Sequence, residues 1–152
     1  MDWTEIVVRL GAAAVIGVAL GLNRYLHHKS IGVRTLGLVS VASAALVAAT
    51  TDAAGADAAA RVIQGLVTGI GFIGAGLIAR DPGGQSVHGL TTAATVWVAV
   101  AVGILCGLGH WRFVAVATVF IMVLLTTGGR LEKAVAHHFA AKDTAPPPGS
   151  EN

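Results

Sequence analysis

Basic, histidine and hydroxyl side chains recur beside the apolar stretches of this 152-residue sequence. Arg24 and Arg34 flank the segment between the first two stretches, and Arg80 and His88 border a glycine- and proline-rich segment further on. A guanidinium can hold a carboxylate or phosphate through two parallel hydrogen bonds, and a histidine beside a loop can respond to pH or face a ligand. We therefore predict a functional cluster made of Arg24, Arg34, Thr35, Arg80, His88, Thr91 and Thr92.

No arrangement typical of an enzyme or a metal site accompanies this cluster. The sequence lacks Ser/His/Asp, paired-carboxylate and zinc-ligand spacings, and its single cysteine, Cys106, lies in an apolar stretch. Residues 69–74 match G-x-G-x-x-G, but they have neither the preceding strand nor the acidic residue about 20 positions later that dinucleotide binding requires. We expect no catalytic residue, no cofactor and no metal ligand.

Each candidate residue also has a structural explanation. The arginines could serve solely to orient the protein in a membrane and to contact anionic headgroups. The threonines could form hydrogen bonds with their own or a neighbouring helix. Glu5 and Arg9, spaced i, i+4, predict an ion pair or a charge that lines a polar cavity. Arg34 is the arginine we expect to act in function, because it precedes Thr35 and the second apolar stretch, where it could bind an anion or a partner's carboxylate.

Composition places these residues in a membrane protein. Hydrophobic residues make up 55% of the chain and charged residues 12%, about half the roughly 25% typical of soluble domains. The apolar stretches are about 15 to 20 residues long, or roughly 23 to 30 Å as helix. We predict an all-α polytopic bundle of about five glycine-rich transmembrane helices, with spans at about 4–22, 35–51, 62–79, 90–109 and 113–127.

The same pattern predicts domain organisation and topology. We expect a transmembrane domain over residues 1–129 and a short cytoplasmic tail over 130–152, disordered from about residue 143. The first loop and the tail are basic, whereas the second loop carries Asp52 and Asp57, so the positive-inside rule places the N-terminus outside and the C-terminus in the cytoplasm. Because the ten Lys and Arg residues lie mostly between apolar stretches, we expect membrane lipids rather than nucleic acid as partners.

Glycine, 20 of the 152 residues, predicts close helix packing. In the third stretch Gly65, Gly69 and Gly76 fall within about 40° of one another, and Gly71 and Gly74 lie on the opposite side. Small residues let membrane helices approach closely. We therefore expect this helix to be central, or to pack on its own bundle and on a second protomer, so that the chain forms a homo-oligomer, a dimer.

Two other stretches carry G-x-x-x-G spacings, at Gly17/Gly21 and at Gly103/Gly107. The fourth stretch also divides into two sides, with Trp97 opposite a stripe of small and polar residues within about 80° of arc. We expect the stripe to face the bundle interior and Trp97 to face lipid. Its members are His88, Thr92, Thr95, Ala99, Gly103 and Cys106.

Five segments occur in a recognisable series: GLNR at 21–24, KSIGVRT at 29–35, TGIGFIGAG at 68–76, VHGLTTAA at 87–94 followed by Trp97, and CGLG at 106–109. In order and spacing they resemble the MgtC/SapB family of bacterial inner-membrane proteins, over about residues 5–127. The resemblance implies an inner-membrane protein whose best-known relatives are linked to growth at low magnesium and survival inside macrophages. Those relatives are thought to regulate other membrane machinery, notably the F-type ATP synthase, rather than to transport magnesium.

The resemblance and the missing catalytic groups together favour a regulatory or adaptor protein, not an enzyme, that acts through helix–helix contacts. The alternative is a small ion or solute transporter or channel that uses the polar face of the fourth span. Against the alternative, no span carries a buried carboxylate of the kind that a cation pathway normally uses.

Three departures from the family pattern limit what carries over. Asn23 stands where the family usually has a glutamate, which removes a charge that could pair with Arg24 or Arg34. Gly65 stands where a glutamine is frequent, with Gln64 one position earlier. A short proline-rich tail follows the last span where virulence-associated members add a soluble ACT-type domain, so functions of that domain do not carry over.

Overall fold

The computed structural model describes residues 1–27, 29, 31–80 and 87–143, with the side chains of 79, 80, 130 and 132–143 left aside. Four helices account for most of this: α1 (Trp3–Leu26), α2 (Val33–Gly76), α3 (Leu90–Leu108) and α4 (Trp111–Asp143). A short antiparallel hairpin, β1 (Ala79–Arg80) and β2 (Val87–His88), joins α2 to α3. The predicted all-α membrane bundle is confirmed, since each of these helices is long and apolar enough to cross a membrane.

The second and third predicted spans are the two halves of α2. A straight helix of 44 residues would measure about 66 Å, twice the roughly 30 Å hydrocarbon core of a bilayer. Gly55 interrupts it, with φ 79° and ψ −175°. Val39 and Leu46 before this break line the same groove as Val62 and Ile73 after it, so the chain turns back at Gly55. The four helices thus contain the five apolar stretches.

The most buried helix is α3, which packs on α1, α2 and α4. The predicted stripe is confirmed for Thr92, Thr95, Ala99, Gly103 and Cys106, which are buried, while the side chain of Trp97 is 49% exposed. His88 departs from the stripe because it belongs to β2, before the helix begins, and is exposed.

Both G-x-x-x-G pairs lie at close backbone contacts with α2. A Cβ atom built on Gly21 would lie 2.5 Å from Cα of Val33, and one on Gly107 would lie 2.6 Å from the carbonyl oxygen of Ala44. Contacts under 3.0 Å do not occur for real Cβ atoms, so these positions require glycine. The same holds for the other member of each pair, Gly17 and Gly103.

The rest of the bundle does not cover the glycines of the second half of α2 (56–76), contrary to the prediction that this helix is central. A Cβ atom on Gly65, Gly69, Gly71 or Gly76 would meet nothing within 4 Å, and one on Gly74 would meet only Cβ of Ala93, at 3.9 Å. The central place belongs to α3, because its small residues approach the first half of α2 most closely. Packing of this glycine face on a second protomer stays a prediction.

The last helix packs on α3 and α1, and most of its side chains over Trp111–Gly129 are exposed, with Val114 buried at its start. Its apolar, membrane-crossing part covers Trp111–Gly129. The backbone helix continues to Asp143, through the first part of the predicted tail. The predicted disorder falls on residues outside the described ones.

Candidate functional site

A cavity of about 550 Å³ opens at the end of the bundle where α1 ends and α3 begins. Four residues of the predicted cluster come together there: Arg24, His88, Thr91 and Thr92. Lys29, which follows α1, completes the set of charged side chains among the described lining residues. The remaining described walls are Val87, Gly89 and Leu90.

Arg24 forms the inner wall of this cavity. Its side chain leaves the last turn of α1 and is only 4% exposed. One terminal nitrogen, Nη2, donates a 2.9 Å hydrogen bond to Oγ1 of Thr92, which is itself 4% exposed. The Nε of Arg24 is buried and has no hydrogen-bond partner in the described part of the chain.

The charge of Arg24 has no carboxylate beside it among the described residues. The ion pairs found there join Glu5 to Arg9 and the Met1 amine to Asp52, at the opposite end of the bundle. An arginine stays protonated in proteins, and burial of an uncompensated charge costs several kcal/mol. The neutral hydroxyl of Thr92 compensates only part of that cost.

The N-terminus of α3 opens onto the same cavity. Its N-cap is Gly89, which has no side chain to bond the first backbone N–H groups. The first intrahelical hydrogen bond runs from Ala93 N to the Gly89 carbonyl at 2.8 Å, so the N–H groups of residues 90–92 lack an intrahelical acceptor. The helix dipole adds partial positive charge there.

Gly89 also fixes how α3 enters the site. Its φ of 91° is left-handed, and a Cβ atom would collide with the carbonyl oxygen of Leu77 at the end of α2. The backbone at Gly89 can therefore pass close to Leu77 and lead from β2 directly into α3. This close passage holds Thr91 and Thr92 at the cavity.

Other members of the predicted cluster lie elsewhere. Arg34 and Thr35 are exposed in the first turn of α2 and do not line the cavity. The side chain of Arg80 lies outside the described residues, although its backbone pairs with Val87, a cavity residue. Lys29 was not among the residues of the predicted cluster, although its position five residues after Arg24 in the same basic segment was a signal in the sequence.

At the opposite end, Arg9 joins α1 to the end of α3. It pairs with Glu5, as its spacing predicts, and donates a hydrogen bond to the carbonyl oxygen of Gly107. This arrangement fixes the relative position of two helices and satisfies the carboxylate of Glu5 locally. Arg9 therefore has a structural role in the bundle.

A second concave surface is apolar and lies between the two halves of α2. This groove of about 510 Å³ is lined by side chains of both halves and by Val100 of α3. Gly65 and Gly69 form part of its wall, and both are exposed. The groove and the glycine face formed by Gly65, Gly69 and Gly76 therefore form one continuous apolar surface on the side of the bundle.

The chain is similar in sequence to known proteins. The MgtC family model matches residues 10–134. Protein SrpB of Synechococcus elongatus is 36% identical over 144 residues, covering 87% of this chain and 79% of its own. Protein MgtC of Brucella abortus is 43% identical over 115 residues, covering 76% of this chain and 48% of its own. Protein MgtC of Salmonella typhimurium is 36% identical over 116 residues, covering 76% and 49%.

This chain therefore spans about half the length of the two MgtC relatives. No solved structure matches it.

Proposed function

Because this chain belongs to the MgtC family, we propose that it is a regulatory or adaptor protein of the bacterial inner membrane. In this proposal it acts through helix–helix contacts with other membrane machinery. The N-terminus lies outside and the C-terminus in the cytoplasm, following the charge of the loops. Family membership and the apolar helices support the more general part of this proposal, that the chain is a multi-pass membrane protein of MgtC type.

The observation that carries this proposal is the uncovered glycine face of 56–76. A glycine within a helix costs up to about 1 kcal/mol relative to alanine. At Gly103 and Gly107 close packing against α2 offsets that cost, whereas at Gly65, Gly69 and Gly76, which share one face, a built Cβ atom meets no described atom outside its own helix within 4 Å. A helix from another protein could approach this face closely and gain the packing that drives association in lipid.

The face has a second feature suited to a partner helix. Phe72, between Gly71 and the apolar groove residue Ile73, is 87% exposed. A protruding aromatic ring next to a flat glycine surface and a groove offers complementary shapes for an incoming helix. The partner is another membrane protein or a second copy of this chain, as in the predicted dimer.

The family relationship suggests the physiological setting. By the resemblance described above, the process is adaptation to low magnesium or to stress inside a host cell, and the F-type ATP synthase is the first partner to test. The transporter alternative relies on the polar face of α3. That face packs against Ser40 and Ser43 of α2, a contact that favours a structural role for the stripe and hence the adaptor proposal.

Gly69→Leu tests the proposal, with Gly11→Leu as the matched control. Both glycines are helical and exposed, and neither has an atom within 4 Å of a built Cβ. Leucine has a high helix propensity, so both variants should insert and fold. Only Gly69→Leu should fail to restore growth at low magnesium in a strain that lacks the native protein, because its side chain blocks the face. Wild-type growth with Gly69→Leu would contradict the proposal.

A further inference from the structure

We propose that the cavity at the start of α3 is a binding site for a phosphate group, carried by a lipid headgroup or present as free phosphate. The inference goes beyond the regulatory function proposed above and does not depend on it. It follows from the charge, the unpaired donors and the size of the cavity.

The charge of the cavity selects an anion. Arg24 and Lys29 both line it, and no aspartate or glutamate is among its described lining residues. The positive end of the α3 dipole adds to their field. A cation would meet repulsion from each of these groups, whereas an anion would compensate the buried charge of Arg24.

The donors of the cavity match the several oxygens of a phosphate. The Nε of Arg24 is buried and unpartnered within the described chain, although Nη2 of the same side chain is held in place by Thr92. Lys29 provides an ammonium group, and the exposed Thr91 provides a hydroxyl. Helix N-termini with free backbone N–H groups are recurrent phosphate sites in proteins.

Arg24 is also oriented before any ligand arrives. Arg24 as a whole is 4% exposed, and its guanidinium is fixed by a bond between two different helices, so little conformational freedom remains to be lost on binding. A carboxylate offers two oxygens to this set of donors, whereas a phosphate offers up to four. The cavity, at about 550 Å³, is also larger than an inorganic ion and leaves room for a substituent on the phosphate.

The experiment compares two sources of phosphate with the full-length protein in nanodiscs. Inorganic phosphate is titrated calorimetrically into phosphatidylcholine nanodiscs. In a second arm, native mass spectrometry measures retention of phosphatidylglycerol by protein from mixed nanodiscs. Saturable binding of inorganic phosphate identifies free phosphate, and selective retention of phosphatidylglycerol identifies a lipid headgroup. Either result supports the site, and the absence of both overturns it.

Lys29→Gln is the main variant, and Arg34→Gln is its matched control. Both side chains are exposed; Lys29 lies between α1 and α2 and Arg34 in the first turn of α2, but only Lys29 lines the cavity. Loss of one charge-assisted hydrogen bond should weaken binding about tenfold in Lys29→Gln. A screened charge outside the cavity should change it by less than about twofold in Arg34→Gln.

Arg24→Gln should reduce phosphate binding at least as much as Lys29→Gln. If the Arg24 variant does not fold, Lys29→Gln, at an exposed position, is sufficient to test the proposal. Equal loss in Lys29→Gln and Arg34→Gln would show general attraction by the basic segment and overturn the proposal. Unchanged binding in Lys29→Gln would do the same. An acidic peptide is added as a competitor for bound phosphate. If the peptide occupies the cavity at a lower concentration than phosphate does, the cavity would be assigned to the carboxylates of a protein partner instead.

Discussion

Arg24 in α1 donates a 2.9 Å hydrogen bond to the hydroxyl of Thr92 in α3, across 68 positions of the chain. Both side chains are buried, and the bond joins the last turn of one helix to the first turn of another. It positions the charge of the cavity and contributes to the docking of α3 on α1.

Thr92→Val should destabilise the protein by about 1.5–3 kcal/mol, the range for hydrogen bonds to charged groups. Valine retains the shape of threonine but leaves Nη2 of Arg24 without this acceptor. The measurement is the free energy of unfolding by SDS in mixed micelles. Thr35→Val, at an exposed position of α2, is the control and should change it by less than about 0.5 kcal/mol. Equal free energies of unfolding for the two variants would show that the hydrogen bond between Arg24 and Thr92 does not stabilise the protein.

Gly103→Ala should reduce the yield of folded protein, because the new methyl group would collide with the backbone carbonyl of Ser40. Overpacking of this kind costs about 1–3 kcal/mol, and a backbone atom cannot move aside as a flexible side chain can. Gly11→Ala, with open space around it, should be neutral or stabilising by up to about 1 kcal/mol. Thermal denaturation of both variants in the same detergent checks the contrast. A Gly103→Ala protein as stable as wild type would show that α2 and α3 can separate without cost.

Topology can be measured by cysteine labelling in intact cells. The native Cys106 is buried and should contribute little background. A membrane-impermeant maleimide should label Asp57→Cys, beside the turn at Gly55, but should leave Lys29→Cys unlabelled until the cells are permeabilised. Both side chains are exposed, so access rather than burial decides the outcome. Labelling of Lys29→Cys in intact cells would invert the proposed orientation.

Hydropathy and small-residue patterns were sufficient to predict the helices and two of their contacts. The apolar stretches predicted the helical segments, and the G-x-x-x-G pairs at Gly17/Gly21 and Gly103/Gly107 predicted close backbone contacts between helices, because only glycine permits them. The same reasoning left two arrangements open for the 56–76 helix, and α3 occupies the central place that one of them required. Spacing shows that a helix face is smooth, but it does not show which neighbour, within the chain or outside it, covers that face.

The candidate site was predictable in part. Basic residues adjoining membrane spans pointed to Arg24, and the polar stripe pointed to Thr92. Their contact depends on how α1 and α3 pack, which no local pattern contains. Arg34 attracted attention because it directly precedes a span, yet its side chain is exposed and outside the cavity, whereas the neighbouring Lys29 lines it.

The most direct test of the adaptor proposal is photocrosslinking from position 72 in living cells. A photoreactive phenylalanine analogue at Phe72, whose side chain is 87% exposed beside the glycine face, should form a covalent adduct with another membrane protein or a second copy of the chain, identified by mass spectrometry. The same analogue at Phe120 of α4, 66% exposed and away from this face, should give mainly lipid adducts. Absence of a protein adduct from position 72, or the same adducts from both positions, would contradict the assignment of this surface to a partner.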